Sequence, residues 1–149
     1  MRAVRRWDDI LAAVGVALGG DPVRGRHDLL ACWAGTTEIE HAQRCVLAHY
    51  LADLEGDLTA EVVWDERALT AFTHVRATDL APIGIPAAAG MAPSLHLNLG
   101  DGYLRQGRTA LAKQQLTAAL DALDVLPDDG YGAMIRGGLT GLQERLTQT

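Results

Sequence analysis

The chain has 149 residues, enough for one domain with a real core, and a formal net charge of −6. That charge argues against a general nucleic-acid binder, which would carry a basic face. Hydrophobic residues make up 48% of the sequence and aromatics only 5%, which excludes disorder and disfavours a sheet, while abundant Ala and Leu favour helices.

Seven helical runs follow in chain order. The first covers about residues 2 to 18. Arg2, Arg5 and Arg6 before the apolar run Ile10–Gly20 superficially suggest a leader peptide. Asp8 and Asp9 interrupt that junction, and Val4, Trp7, Leu11, Val14 and Leu18 form an amphipathic stripe, so the segment reads as a helix of the domain. Gly19-Gly20 ends it.

Asp21-Pro22 starts the second run, an N-cap followed by proline at the first helical position. This run buries Leu29, Leu30, Cys32 and Trp33 and stops near Gly35. The third spans about Glu38 to Glu55, capped by Thr37. After Gly56-Asp57 the fourth runs to about Ala77, with Val62, Leu69, Phe72 and Val75 inward.

Pro82, Gly84 and Pro86 break the rhythm and make a loop of Leu80–Ile85. The fifth helix begins between Pro86 and Pro93 and ends at Gly107; Pro93 is either its first residue or a kink. The sixth carries Leu116, Ala119, Leu120 and Leu123 and ends at Pro127. The seventh buries Ile135, Leu139, Leu142 and Leu146. Its glycines call for an explanation: a late helix start, or close approach of helix six at Gly132 and Gly137. No apolar run approaches the roughly 20 residues of a membrane span.

Turn glycines Gly20, Gly56 and Gly107 each divide a helix pair, at intervals of 36 and 51 residues. The last pair holds the informative segment: Leu99-Gly100, then Tyr103, the turn at Gly107, small Ala112, and Leu116 with Ala119. Small residues stand where two antiparallel helices touch, and Tyr103 and Leu116 fill the space between them. In this order the segment resembles a tetratricopeptide repeat, with His96 in place of the usual leading Trp. The first interval is close to the family's repeat of about 34 residues, and the second requires an insertion of roughly 17 at the proline-rich loop. The other hairpins match less well. Ala48 and Ala68-Leu69 take the places of Leu99 and Ala119-Leu120, but His49 replaces Gly100 and Glu61 replaces Ala112. In the first hairpin Gly25 and Leu29 match Ala112 and Leu116, and Val16 replaces Tyr103.

The resemblance implies an all-α, right-handed solenoid over residues 1–149. Three hairpins are expected, at about 2–35, 38–77 and 87–126, with a C-terminal capping helix at about 130–147. It implies non-catalytic recognition of a protein or peptide, no cofactor, and a concave groove lined by helices three, five and seven. The candidate groove residues are His41, Arg44, Asn98, Asp101, Arg105 and Arg136. Asn98 stands in an apolar helical stretch that asparagine disfavours, which suggests that its amide is used. The alternative for Asp101 and Arg105 is a solvated face with an ion pair between them.

Two readings from other classes stay open. His41, Cys45 and His49 recur at steps of four, and with His96 or His74 they could hold a metal or form an enzymatic or small-molecule site. The competing reading makes Cys45 a core thiol and His49 a packed histidine with one partner. The other class is self-association into a homodimer through apolar surface at the solenoid edge, such as Trp7 or Trp33. Catalytic signatures are sparse: Ser94 and His96, two apart on a helix, point away from each other. Cys32 and Cys45 fall within apolar helical runs and read as free buried thiols, which implies a cytoplasmic location.

Overall fold

Aspartates set the starts of three helices. Asp21, Asp57 and Asp129 each accept a hydrogen bond from the backbone N–H three residues on, at 3.1, 2.9 and 2.9 Å. Each satisfies an amide that the first turn would otherwise leave unpaired. The computed structural model describes residues 2–148, with side chains from residue 6 onward. Seven α-helices appear: α1 (Arg2–Leu18), α2 (Pro22–Ala34), α3 (His41–Asp53), α4 (Leu58–Phe72), α5 (Ala92–Arg105), α6 (Thr109–Asp121) and α7 (Gly130–Thr147). The described residues contain no strand, so the fold is all-helical. Among the described residues no helix is long and apolar enough to cross a membrane.

The chain divides into two compact units, Met1–Ala88 and Ala89–Thr149. In the first, α1 pairs with α2 and α3 with α4, and α3 also packs on both α1 and α2. In the second, α5 pairs with α6, and α7 packs on both. Each unit therefore repeats one plan: a helical hairpin with the next helix docked against both of its members.

Small residues permit the closest contacts. A Cβ on Gly25 would collide with the backbone and Cβ of Ala17, so α1 and α2 touch there. A Cβ on Gly100 would lie 2.9 Å from Leu142 Cδ2 and 3.3 Å from Gln115 Cβ, which brings α5 against both α6 and α7. Gly107 ends the α5–α6 turn with φ +76°, a left-handed conformation that favours glycine. In α7 the close contacts fall at Gly132, where a Cβ would collide with the Pro127 carbonyl, and at Gly138, where a Cβ would lie 2.7 Å from Leu97 Cδ2. Gly137 faces open space, so the expected approach of helix six at that residue is not found. The helix starts at Gly130, not late.

Several inner faces differ from expectation. In α1, Trp7, Ile10, Ala13 and Val14 are buried, whereas Leu11 and Leu18 are exposed. The inward face is set one residue back from the predicted stripe after Trp7. Val4 lies outside the described side chains. Burial of Trp7 also removes it as exposed apolar surface for self-association. In α2 only Gly25 and Leu29 are buried, while Leu30, Cys32 and Trp33 are half-buried. Helix α4 stops at Phe72, short of Ala77, and buries Val62, Trp64, Asp65, Ala68 and Ala71. In α6, Leu116 and Ala119 are buried and Leu120 is exposed. The four predicted residues of α7 are all buried.

Helix α3 starts at His41, not at Glu38. The Thr37 amide instead donates to the Glu40 carboxylate at 2.9 Å, and the Glu40 amide donates to the Thr37 carbonyl at 3.1 Å. That reciprocal pair closes a turn ahead of the helix. Pro93 stands in the first turn of α5, where its missing N–H costs nothing, and no kink is needed. Between α4 and α5, Gly84 takes φ +87°, Leu80 is fully buried, and the short 3-10 turn Ala81–Ile83 packs on α1. The segment between α4 and α5 is thus anchored into the first unit.

Candidate functional site

The predicted residues fall in both units, and each unit presents its own arrangement. In the first, the end of α2 brings Trp33 beside the start of α3 and the outer face of α4. A cleft of about 490 Å³ opens there, lined by His41 and Arg44 from α3 and by Val63, Arg67, Ala71 and His74 from α4 and its end. Trp33, Glu38 and Glu66 line it too.

Aromatic contacts organise this cleft. Trp33 and Trp64 meet edge to face with centroids 5.0 Å apart. The Arg44 guanidinium lies 5.2 Å over Trp33 and also donates from Nε to Thr36 Oγ1 at 2.9 Å. Arg67 lies 4.6 Å over Trp64 and 5.9 Å from Trp33. Such contacts hold a guanidinium in place while leaving its N–H groups outward. His41 and His74 stack with ring centroids 4.5 Å apart and planes 28° from parallel. A neighbouring cleft of about 390 Å³ shares both imidazoles and adds Glu40, Arg76 and Asp79. There, Glu40 pairs with Arg6 and Asp79 with Arg76.

The histidine stripe of α3 does not converge. Cys45 is fully buried, and burial pushes its thiol up to about 12, so it stays protonated and poorly suited to binding a metal. His49 is half-buried, with Nδ1 shielded and without a partner among the described residues. Burial lowers its pKa, and the Asp53 carboxylate opposes that shift. The partner expected for a packed histidine is therefore missing; its ring meets Tyr50 edge-on at 5.4 Å. His96 is taken up in the second unit, where Nδ1 lies 2.7 Å from Gln115 Oε1 across the α5–α6 contact. Among the described residues no three His, Cys, Asp or Glu side chains gather where they could hold a metal ion. Both cysteines are free.

In the second unit, Asp101 joins two helices. Its Oδ2 accepts from Arg105 Nε at 2.9 Å, and its Oδ1 pairs with Arg145 Nη2 of α7 at 2.7 Å. The ion pair read from the sequence is present, and Arg145 extends it. Asn98 is half-buried, one turn before Asp101, and its amide makes no hydrogen bond to the described residues. Arg136 turns back to the carbonyls of Pro127 and Leu126 at 3.2 and 3.4 Å, bracing the start of α7. Ser94 is buried and donates to the Met91 carbonyl at 3.5 Å.

Sequence reasoning found His41 and Arg44 but missed Trp33 and Arg67 as members of the same cleft. The spacing of Trp64 and Arg67, three apart on α4, was a readable signal for one guanidinium–indole contact. Its meeting with Trp33 is tertiary and left no mark in spacing. No protein-family model matches the chain, and no curated protein or solved structure matches it.

Proposed function

We propose that the protein is a non-catalytic recognition module, similar to tetratricopeptide repeats, that binds a protein or peptide partner through polar residues on its helices. The supporting observation is the packing plan found in each unit: a hairpin closed at a small residue, with the next helix docked on both members. In repeat proteins, hairpins of this kind stack into solenoids, which offer extended surfaces to partners. The positions that carry the repeat signature, Leu99, Gly100, Tyr103 and Ala112, are all buried and used for packing. What they leave outward is polar: Asn98, Asp101 and Arg105 on α5, His41 and Arg44 on α3.

Three side chains of types used in catalysis have structural partners or inert surroundings. Ser94 donates to a backbone carbonyl, His96 pairs with Gln115, and the Cys45 thiol is held protonated. Asn98 is the strongest pointer to a ligand, as a half-buried amide with open donor and acceptor sites. The test is affinity capture with the Asn98→Ala, Arg105→Ala double variant beside the wild type. The variant is expected to keep its helical circular dichroism and to lose the proteins that the wild type retains. An unchanged capture profile would reject the reading.

A further inference from the structure

We propose that the cleft of the α3–α4 hairpin is a binding site for a single carboxylate on a peptide whose flanking residues are apolar, and that binding there takes up a proton. This rests on the recognition reading above but names a different surface, away from Asn98 and Arg105.

The cations come first. Arg67 is held against two indoles, yet among the described residues its guanidinium has neither a hydrogen bond nor a carboxylate partner. Five N–H groups in a planar fork thus face solvent on a pre-positioned scaffold, which suits a carboxylate. Arg44 stands across Trp33 from it, partly committed to Thr36. In a chain of net charge −6, this cleft gathers two arginines and two imidazoles against two carboxylates, so it is not itself acidic.

The carboxylates in the same walls set the ligand's limits. Glu38 and Glu66 lie on either side of the cleft, from the turn before α3 and from α4. They would repel a run of acidic residues or a multiply charged phosphate, so a single anionic group fits best. Apart from Thr70, the rest of the wall is apolar: Val63, which is 36% exposed, the Trp33 ring and Ala71. A volume of about 490 Å³ holds one acidic side chain with an apolar neighbour.

The histidines supply the proton linkage. His41 and His74 are stacked at 4.5 Å, and neither ring has a hydrogen-bond partner among the described residues. The charged groups around them are Glu38 and Arg44 on the α3 side, Glu66 and Arg67 on α4, and Glu40, Arg76 and Asp79 in the adjoining cleft. Glu40 and Asp79 are paired with Arg6 and Arg76 and so are less able to neutralise the rings. A ligand carboxylate favours the protonated imidazole, and by linkage a protonated imidazole strengthens binding.

The experiment is calorimetric titration of the full chain with acetyl-Ala-Leu-Glu-Leu-Ala-amide and with its Gln counterpart. The Glu peptide is expected to bind at least about tenfold more tightly than the Gln peptide at pH 6, and more tightly at pH 6 than at pH 8. Proton uptake is read by repeating the titration in buffers of different ionisation heat. Arg67→Ala is expected to weaken the Glu peptide about tenfold, and His74→Gln to flatten the pH dependence, both with unchanged circular dichroism. Arg67 and His74 are exposed, so neither change disturbs the core. Equal affinity for the two peptides, or an Arg67→Ala chain that binds as well as wild type, would overturn the site. If the Glu peptide binds but is lost only in the Asn98→Ala, Arg105→Ala chain, the cleft is wrong and the recognition reading stands. If the peptide binds in the cleft while captured proteins are indifferent to Asn98 and Arg105, the reverse holds.

Discussion

The α5–α6 and α3–α4 hairpins reach the same antiparallel pairing by different chemistry. Laid on each other by their turn glycines, Gly56 and Gly107, they differ where the helices meet. In α5–α6, Gly100 and fully buried Ala112 let the backbones come close, and Tyr103 and Leu116 fill the seam. In α3–α4 the corresponding residues are His49, Glu61, Ala52 and Asp65. That hairpin buries small residues too, Ala48, Ala52 and Ala68, and adds bulk: Leu47, Leu51, Val62 and Trp64 are buried, and Trp64 Nε1 donates to Glu55 Oε1 at 3.2 Å. The hairpin that keeps the repeat pattern is closed by small residues. The one that departs from it adds large side chains, Trp64 among them, and carries a cleft with two arginines.

The largest expected effect tests that contrast directly. Trp64→Ala removes a ring that is 7% exposed, together with its edge contact to Trp33 and the seat of Arg67. A loss of about 3–4 kcal/mol in urea denaturation is expected, typical of a truncated buried aromatic. Next comes Gly100→Val, whose side chain would meet Leu142 and Gln115 and is expected to cost about 2 kcal/mol. The same measurement on His49→Val, at the matching place in α3, is expected to show little loss or a gain, since it removes an unpartnered buried nitrogen. Equal losses at the two positions would erase the distinction between the hairpins.

The smallest effect is in pH dependence. Burial holds the folded His49 imidazole below its ordinary value of 6.5, so the unfolded chain binds that proton more readily. The contribution from His49 is full above that value and is lost as pH falls toward the lower folded value. Denaturation midpoints are therefore expected to drop between pH 7.5 and 5, and the His49→Leu chain to show a shallower drop. Identical slopes for the two chains would remove His49 as a source of acid sensitivity.

The elements were legible because their signals are local. Asp21, Asp57 and Asp129 announce helix starts, Gly107 announces a left-handed turn, and the spacing of Ile135, Leu139, Leu142 and Leu146 gives the inner face of α7. Helix α1 was harder, because Ala13 and Ile10 take the inner face while Leu11 and Leu18, equally apolar, point outward. Composition does not separate those choices; the facing helix does. Of the cleft, His41 and Arg44 were legible as polar residues early in a helix. Arg67 and Trp33 were not, because their meeting depends on how the end of α2 passes α4. The Asp101–Arg105 pair was local and readable, whereas Arg145 reaches Asp101 from 44 residues away.

The central claim is that recognition is carried by polar residues, Asn98 and Arg105 foremost, that can be removed without unfolding the chain. Its most direct measurement is the dissociation constant of a captured partner for the wild type and for the Asn98→Ala, Arg105→Ala chain, taken beside each chain's thermal midpoint. The account predicts binding weakened about tenfold or more, with the midpoint shifted by no more than about 3 °C. Equal affinities in two equally folded chains would contradict it.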